Sequence, residues 1–166
     1  MAAVSGIEPK RFPWQTIVTL TLALWLGSSL ILDLIIMPGL YVSGMMTQSG
    51  FAAAGYAIFG SFNRIELVCA ASVLTGILVL GKTPDSENKH HRTAVVLSVV
   101  LLAVVLILTY GLTPQMSALG LNLNWFEPTA ALPVGMDQLH EGYFGLEMLK
   151  LSAAGVLLAF CHRSRI

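Results

Sequence analysis

Five charged residues stand inside runs that are otherwise written in Ala, Val, Leu, Ile, Phe and Gly: Asp33, Arg64, Glu66, Glu147 and Lys150. Their types suit ion pairing and proton or ion transfer. An arginine fork can serve two carboxylates at once. Glu147 and Lys150 are three residues apart, so on a helix they meet on one face. His140 and Tyr143 continue that stripe. In the stretch FNRIEL, residues 62–67, Asn63 adds an amide beside Arg64 and Glu66. Residues two apart on a helix point to nearly opposite sides, so Arg64 and Glu66 cannot both face one neighbour. The expectation is a shared polar cluster of Asp33, Asn63, Arg64, Glu66, His140, Glu147 and Lys150. In it Arg64 pairs with at least one of Asp33, Glu66 and Glu147, and one charge is left for a second polypeptide.

Energetics make the cluster informative. A charge at mid-membrane costs roughly 2.5–3.5 kcal/mol on insertion scales. Five unpaired charges would cost on the order of 10 kcal/mol, comparable with the stability of a domain. Two roles follow: hydrogen-bonding glue that fixes helix register, or a site for a proton, an ion, a ligand or a partner.

Other chemistry is thinner. Met37, Met45, Met46, Met116 and Met136 fall near one end of the spans, and thioethers suit Cu(I); methionine is also an ordinary filler of apolar helices. A bis-histidine haem needs two facing histidines, and only His140 sits near a span. A single axial histidine to a chlorophyll-like pigment, or a lipid, remains open; otherwise no cofactor and no metal set is implied. His90 and His91 read as a solvated loop. Ser28 and Ser29 in WLGSSL read as small residues that allow close helix packing. Cys69 and Cys161 lie at different depths and read as apolar fillers, not a disulfide. There is no phosphate loop, no Cys-x-x-Cys, no nucleophile–base pair and no basic stripe for nucleic acid, which argues against an enzyme.

The elements that must position these groups follow from composition. Of 166 residues, 55% are hydrophobic and 11% charged, and the mean hydropathy is +0.76. A soluble domain carries roughly a quarter charged residues. Four apolar segments, at about 14–41, 51–80, 94–116 and 138–160, each exceed the roughly 20 residues that a helix needs to cross a bilayer. Beta-barrel strands would be shorter and alternating, and no cleavable signal is seen. The reading is all-α: one domain over residues 1–166, an integral membrane four-helix bundle.

Nine Lys and Arg residues are present. Lys10, Arg11, Lys82, Lys89, Arg92, Arg163 and Arg165 flank the termini and the connection between helices 2 and 3. The other two connections have none, so both termini are expected to be cytoplasmic. The connection between helices 3 and 4, with Trp125, Phe126, Glu127, Pro128 and Pro133, is expected to lie along the outer surface. A faint echo links the halves. Pro38 in MPGL matches Pro114 in TPQM, and Phe62 with Glu66 matches Tyr143 with Glu147.

Trp25-Leu26-Gly27, Pro38, Asn63 with Glu66, and Leu139-His140 together resemble a four-helix membrane family of unknown function. That family is similar to the domain of transmembrane-protein-205-like proteins and distantly to copper-resistance protein D. The resemblance covers about residues 15–160. It implies a four-helix bundle, and through the copper relatives metal passage, for which this chain lacks a convincing ligand set. The style is also similar to sequences of photosynthetic bacteria, which implies a bacterial plasma or thylakoid membrane.

Two readings compete. The first is a non-enzymatic accessory subunit or assembly factor that binds another membrane protein. The second is a small oligomeric transporter or channel for protons, ions or copper that uses the Asp/Arg/Glu cluster. A pigment or lipid carrier is a third.

Overall fold

Runs of apolar residues this long satisfy their backbone polar groups within their own helices. The computed structural model describes residues 13–45, 50–81, 89–126 and 135–163. Its helices are α1 (Trp14–Ile31), α2 (Met37–Val42), α3 (Phe51–Leu80), α4 (Lys89–Ile107), α5 (Thr113–Phe126) and α6 (Met136–His162). A π-helical segment, Leu32–Ile36, fuses α1 to α2, and another, Leu108–Leu112, fuses α4 to α5. The result is four rods. Four helical stretches, Trp14–Val42, Ala53–Leu80, His90–Leu119 and Asp137–His162, are long and apolar enough to cross a membrane. Among the described residues there is no strand.

Each π segment has a visible cause. Pro38 and Pro114 lack an N–H, and their rings clash with the carbonyl four residues back. The chain widens by one residue ahead of each proline. Met37 N–H bonds to the carbonyl of Leu32, and Thr113 N–H to that of Leu108. Both are i→i−5 bonds, the mark of a π bulge. The echo of the two prolines in the sequence is thus a repeated backbone device.

The rods pack as a ring. α1 lies beside α3 and α6, and α4 also lies beside α3 and α6, while among the described residues the diagonals are not in backbone contact. Most buried positions of each rod follow alternating steps of three and four. They are Val18, Leu22, Trp25, Ser29 and Leu32; Asn63, Glu66, Ala70, Val73 and Ile77; Ala94, Ser98, Leu101, Val105 and Leu108; and Glu147, Lys150, Ala154, Leu157 and Cys161. Such seams are the pattern of near-parallel helix bundles. One half of the core is hydrocarbon, from Val18, Leu22, Val73, Ile77, Ala94 and Leu157. Gly76 lets α1 approach α3 there, since a Cβ at that position would fall inside the Val18 side chain. At the opposite end, α3 and α6 each start from a glycine with positive φ, Gly50 at 93° and Gly135 at 98°, a conformation that costs glycine little.

Three sequence expectations are corrected here. The third rod does not stop at 116 but continues to Phe126, so residues 117–126 are helix, not surface loop. His90 and His91 open α4. His90 packs edge-on against Phe160, with ring centroids 5.8 Å apart, and His91 lies over Gly81, so the pair is not a solvated loop. Ser29 is buried in a hydrogen bond while Ser28 is exposed, so the two do not act together as small packing residues. Lys10, Arg11, Met46, Lys82, Glu127, Pro128, Pro133 and Arg165 lie outside the described residues, as do the side chains of Lys89, Trp125, Phe126 and Met136.

Candidate functional site

The polar half of the core is centred on Glu66, at mid-length of α3 and 1% exposed. Its seam position points it at the bundle axis. One oxygen, Oε1, accepts three hydrogen bonds. Trp25 Nε1 donates at 2.9 Å, Ser29 Oγ at 2.9 Å and Lys150 Nζ at 2.5 Å. Trp25 and Ser29 are four apart on α1, so they present both donors from one face. Lys150 comes from α6, across the ring. α3 and α6 do not touch at the backbone, so the long lysine stem spans the diagonal. Beside it Phe59 meets Tyr143 edge-to-face at 5.9 Å.

Lys150, 2% exposed, also pairs with Glu147 Oε1 at 2.5 Å. That is the expected meeting of residues three apart on one helix. Asp33 enters from the π segment of the first rod. It is only half-buried, and its carboxyl lies against that of Glu147, within the field of Lys150 and Glu66. One turn away, Asn63 Nδ2 donates to Thr113 Oγ1 at 2.8 Å. This bond ties α3 to the third rod just after its own π segment. Buried polar groups normally find partners. Here several oxygens accept no hydrogen bond: Asp33 Oδ2, Asn63 Oδ1, Glu66 Oε2 and Glu147 Oε2.

Asp33, Glu66, Glu147 and Lys150 therefore come together, with Asn63 in a neighbouring bond. Arg64 does not join them. It is exposed on the outer face of α3, and among the described residues both ion pairs of the cluster are made by Lys150. The expected pairing of Arg64 with Asp33, Glu66 or Glu147 is thus overturned, and the reason is angular. Two residues on a helix differ by about 200°, and Glu66 holds the inward seat. His140 is exposed on the first turns of α6 and lies outside the seam. Three residues were missed as site components: Trp25, Ser29 and Thr113. Their signal was the step of four between Trp25 and Ser29, in register with Val18 and Leu22.

Among the described residues no group of three or more His, Cys, Asp and Glu side chains is arranged to hold a metal ion. Chemically, the site is a buried carboxyl–ammonium cluster with more acids than bases. Compared with known proteins, the chain matches no family model, no curated protein and no solved structure.

Proposed function

We propose that this chain is an integral membrane protein of a bacterial plasma or thylakoid membrane, with both termini and the connection between α3 and α4 on the cytoplasmic side. It docks onto another membrane protein as an accessory subunit or assembly factor, without catalysis of its own. One observation carries this reading: Arg64 is exposed near the middle of a helix long and apolar enough to span. An arginine facing lipid at that depth costs about 2.5–3.5 kcal/mol even on the mildest scales, and Glu66 and Glu147 are already taken by Lys150. A carboxylate on a neighbouring helix removes that cost and gains a charge-assisted bond.

The face around Arg64 suits such a helix. Ala53, Ala57, Ser61, Val68, Ala71 and Thr75 are exposed with it at helical spacing. Small residues let two backbones approach closely in a membrane. A second copy of this chain is a poor occupant. Its mid-span carboxylates Glu66 and Glu147 are buried against its own Lys150. The partner is therefore a different membrane protein with an Asp or Glu at mid-depth.

The test is purification from native membranes with mass spectrometry, for the native chain and for Arg64→Met. A stoichiometric larger partner is expected with the native chain and is expected to be lost with Arg64→Met without a loss of thermal stability. A homo-oligomer, or a partner that ignores Arg64→Met, refutes the reading. A carrier of protons or ions is the second reading, favoured by the surplus of carboxyl groups in the bundle interior.

A further inference from the structure

The charges in the bundle interior do not balance. Asp33, Glu66 and Glu147 face one base, Lys150. Fully ionised, the site would hold two uncompensated negative charges between apolar walls, and carboxylates sharing such a site resist ionising together. Glu66 is the best-satisfied of the three, because its Oε1 takes an indole N–H, a hydroxyl and the ammonium. The surplus thus sits on Glu147 and Asp33, which lie carboxyl to carboxyl. Each keeps a buried oxygen that accepts no hydrogen bond, Glu147 Oε2 and Asp33 Oδ2, and Glu147 is 3% exposed.

A positive charge at the site would offset part of that surplus. A metal ion fits badly. The three carboxyls are not disposed as ligands, and Lys150 would repel it. A proton needs no volume, and it turns a carboxylate into a donor for its neighbour.

We propose that Asp33 and Glu147 form a proton-binding site in the bundle core, sharing one exchangeable proton that enters and leaves through half-buried Asp33. The proton moves between two carboxyl oxygens and no other bond changes. With the proton on Glu147, Lys150 serves Glu66 alone and Asp33 accepts the Glu147 O–H. With the proton released, Glu147 becomes a carboxylate and shares Lys150 with Glu66. The groups that face the site are Asp33, Trp25 and Ser29 from the first rod, Glu66 from α3, and Glu147, Lys150 and Tyr143 from α6. The third rod contributes the Thr113 hydroxyl, through Asn63, and no described titratable group. The site stands apart from the Arg64 face and does not depend on a partner there.

Infrared difference titration of the full chain in nanodiscs tests this. The native chain is expected to show a protonated-carboxyl band, equivalent to one proton per molecule, at pH values where exposed carboxyls are ionised. The band should shift in D2O and vanish in both Asp33→Asn and Glu147→Gln, and persist in Glu141→Gln. Asn and Gln mimic the protonated acids, so both variants are expected to fold. Carbon-13 labelling of Asp or Glu in the native chain provides the same assignment without any substitution. The proposal is overturned if no such band exists, or if neither variant nor either label alters it. It is also overturned if sodium chloride abolishes the band at fixed pH where choline chloride does not, which would assign the site to a metal cation.

Discussion

Replacing Lys150 by Met is the sharpest perturbation of this bundle. The side chain is 2% exposed and supplies the positive charge of both described ion pairs, to Glu66 and to Glu147. Met keeps the stem but removes the ammonium. Glu66 would retain Trp25 Nε1 and Ser29 Oγ, two donors without a countercharge. Breaking a buried pair from one side costs about 3–5 kcal/mol. For a chain of 166 residues, each kcal/mol moves Tm by about 2–4 °C, so a fall on the order of 10 °C is expected in detergent. Adding Glu66→Gln and Glu147→Gln should restore most of it, because apolar or neutral replacement of a whole buried network is often close to neutral. Arg64→Met is the internal control. Its side chain is exposed and takes no part in the Lys150 ion pairs, so its replacement is expected to cost no stability. Thermal unfolding followed by circular dichroism in one detergent measures all of these. If Lys150→Met melts with the native chain, or Arg64→Met falls as far, the assignment of Lys150 as the central base is wrong.

Gly76→Val should destabilise by about 1–3 kcal/mol through overpacking, because a Cβ at Gly76 already meets fully buried Val18; the same unfolding assay checks it, and unchanged stability would show that α1 and α3 are not in close approach there. For topology, a cysteine at Ser86 should react with an impermeant maleimide only from the cytoplasmic side, and one at Ser43 only from the opposite side. The reverse pattern would invert the orientation.

Hydropathy alone determined that four helices form and roughly where they run. A bilayer-length apolar run leaves the backbone few alternatives, and the signal is averaged over many residues. The sequence also determined that Glu147 meets Lys150 and that Arg64 and Glu66 diverge, since both follow from the angle between residues on one helix. Which of the two turns inward was decided by tertiary structure. A soluble helix shows its buried face by polarity, but these helices are apolar all round. Leu20, Leu24, Val68 and Val156 are exposed while their near neighbours are core, so the seam is hidden in the composition. Only the packed ring places Glu66 on the axis, brings Lys150 across the diagonal and leaves Arg64 outside. The end of the third rod was hidden for another reason. Residues 117–126 include Ser, Gly and Asn, which are weak helix formers, yet α5 continues through them; α5 packs on α3, and packing of the element outweighs a propensity of a few tenths of a kcal/mol per residue. Asp33 joins the cluster only because a proline five residues on forces the π segment in which it lies. That contact depends on backbone geometry and three-dimensional packing together, and spacing along the chain does not encode it.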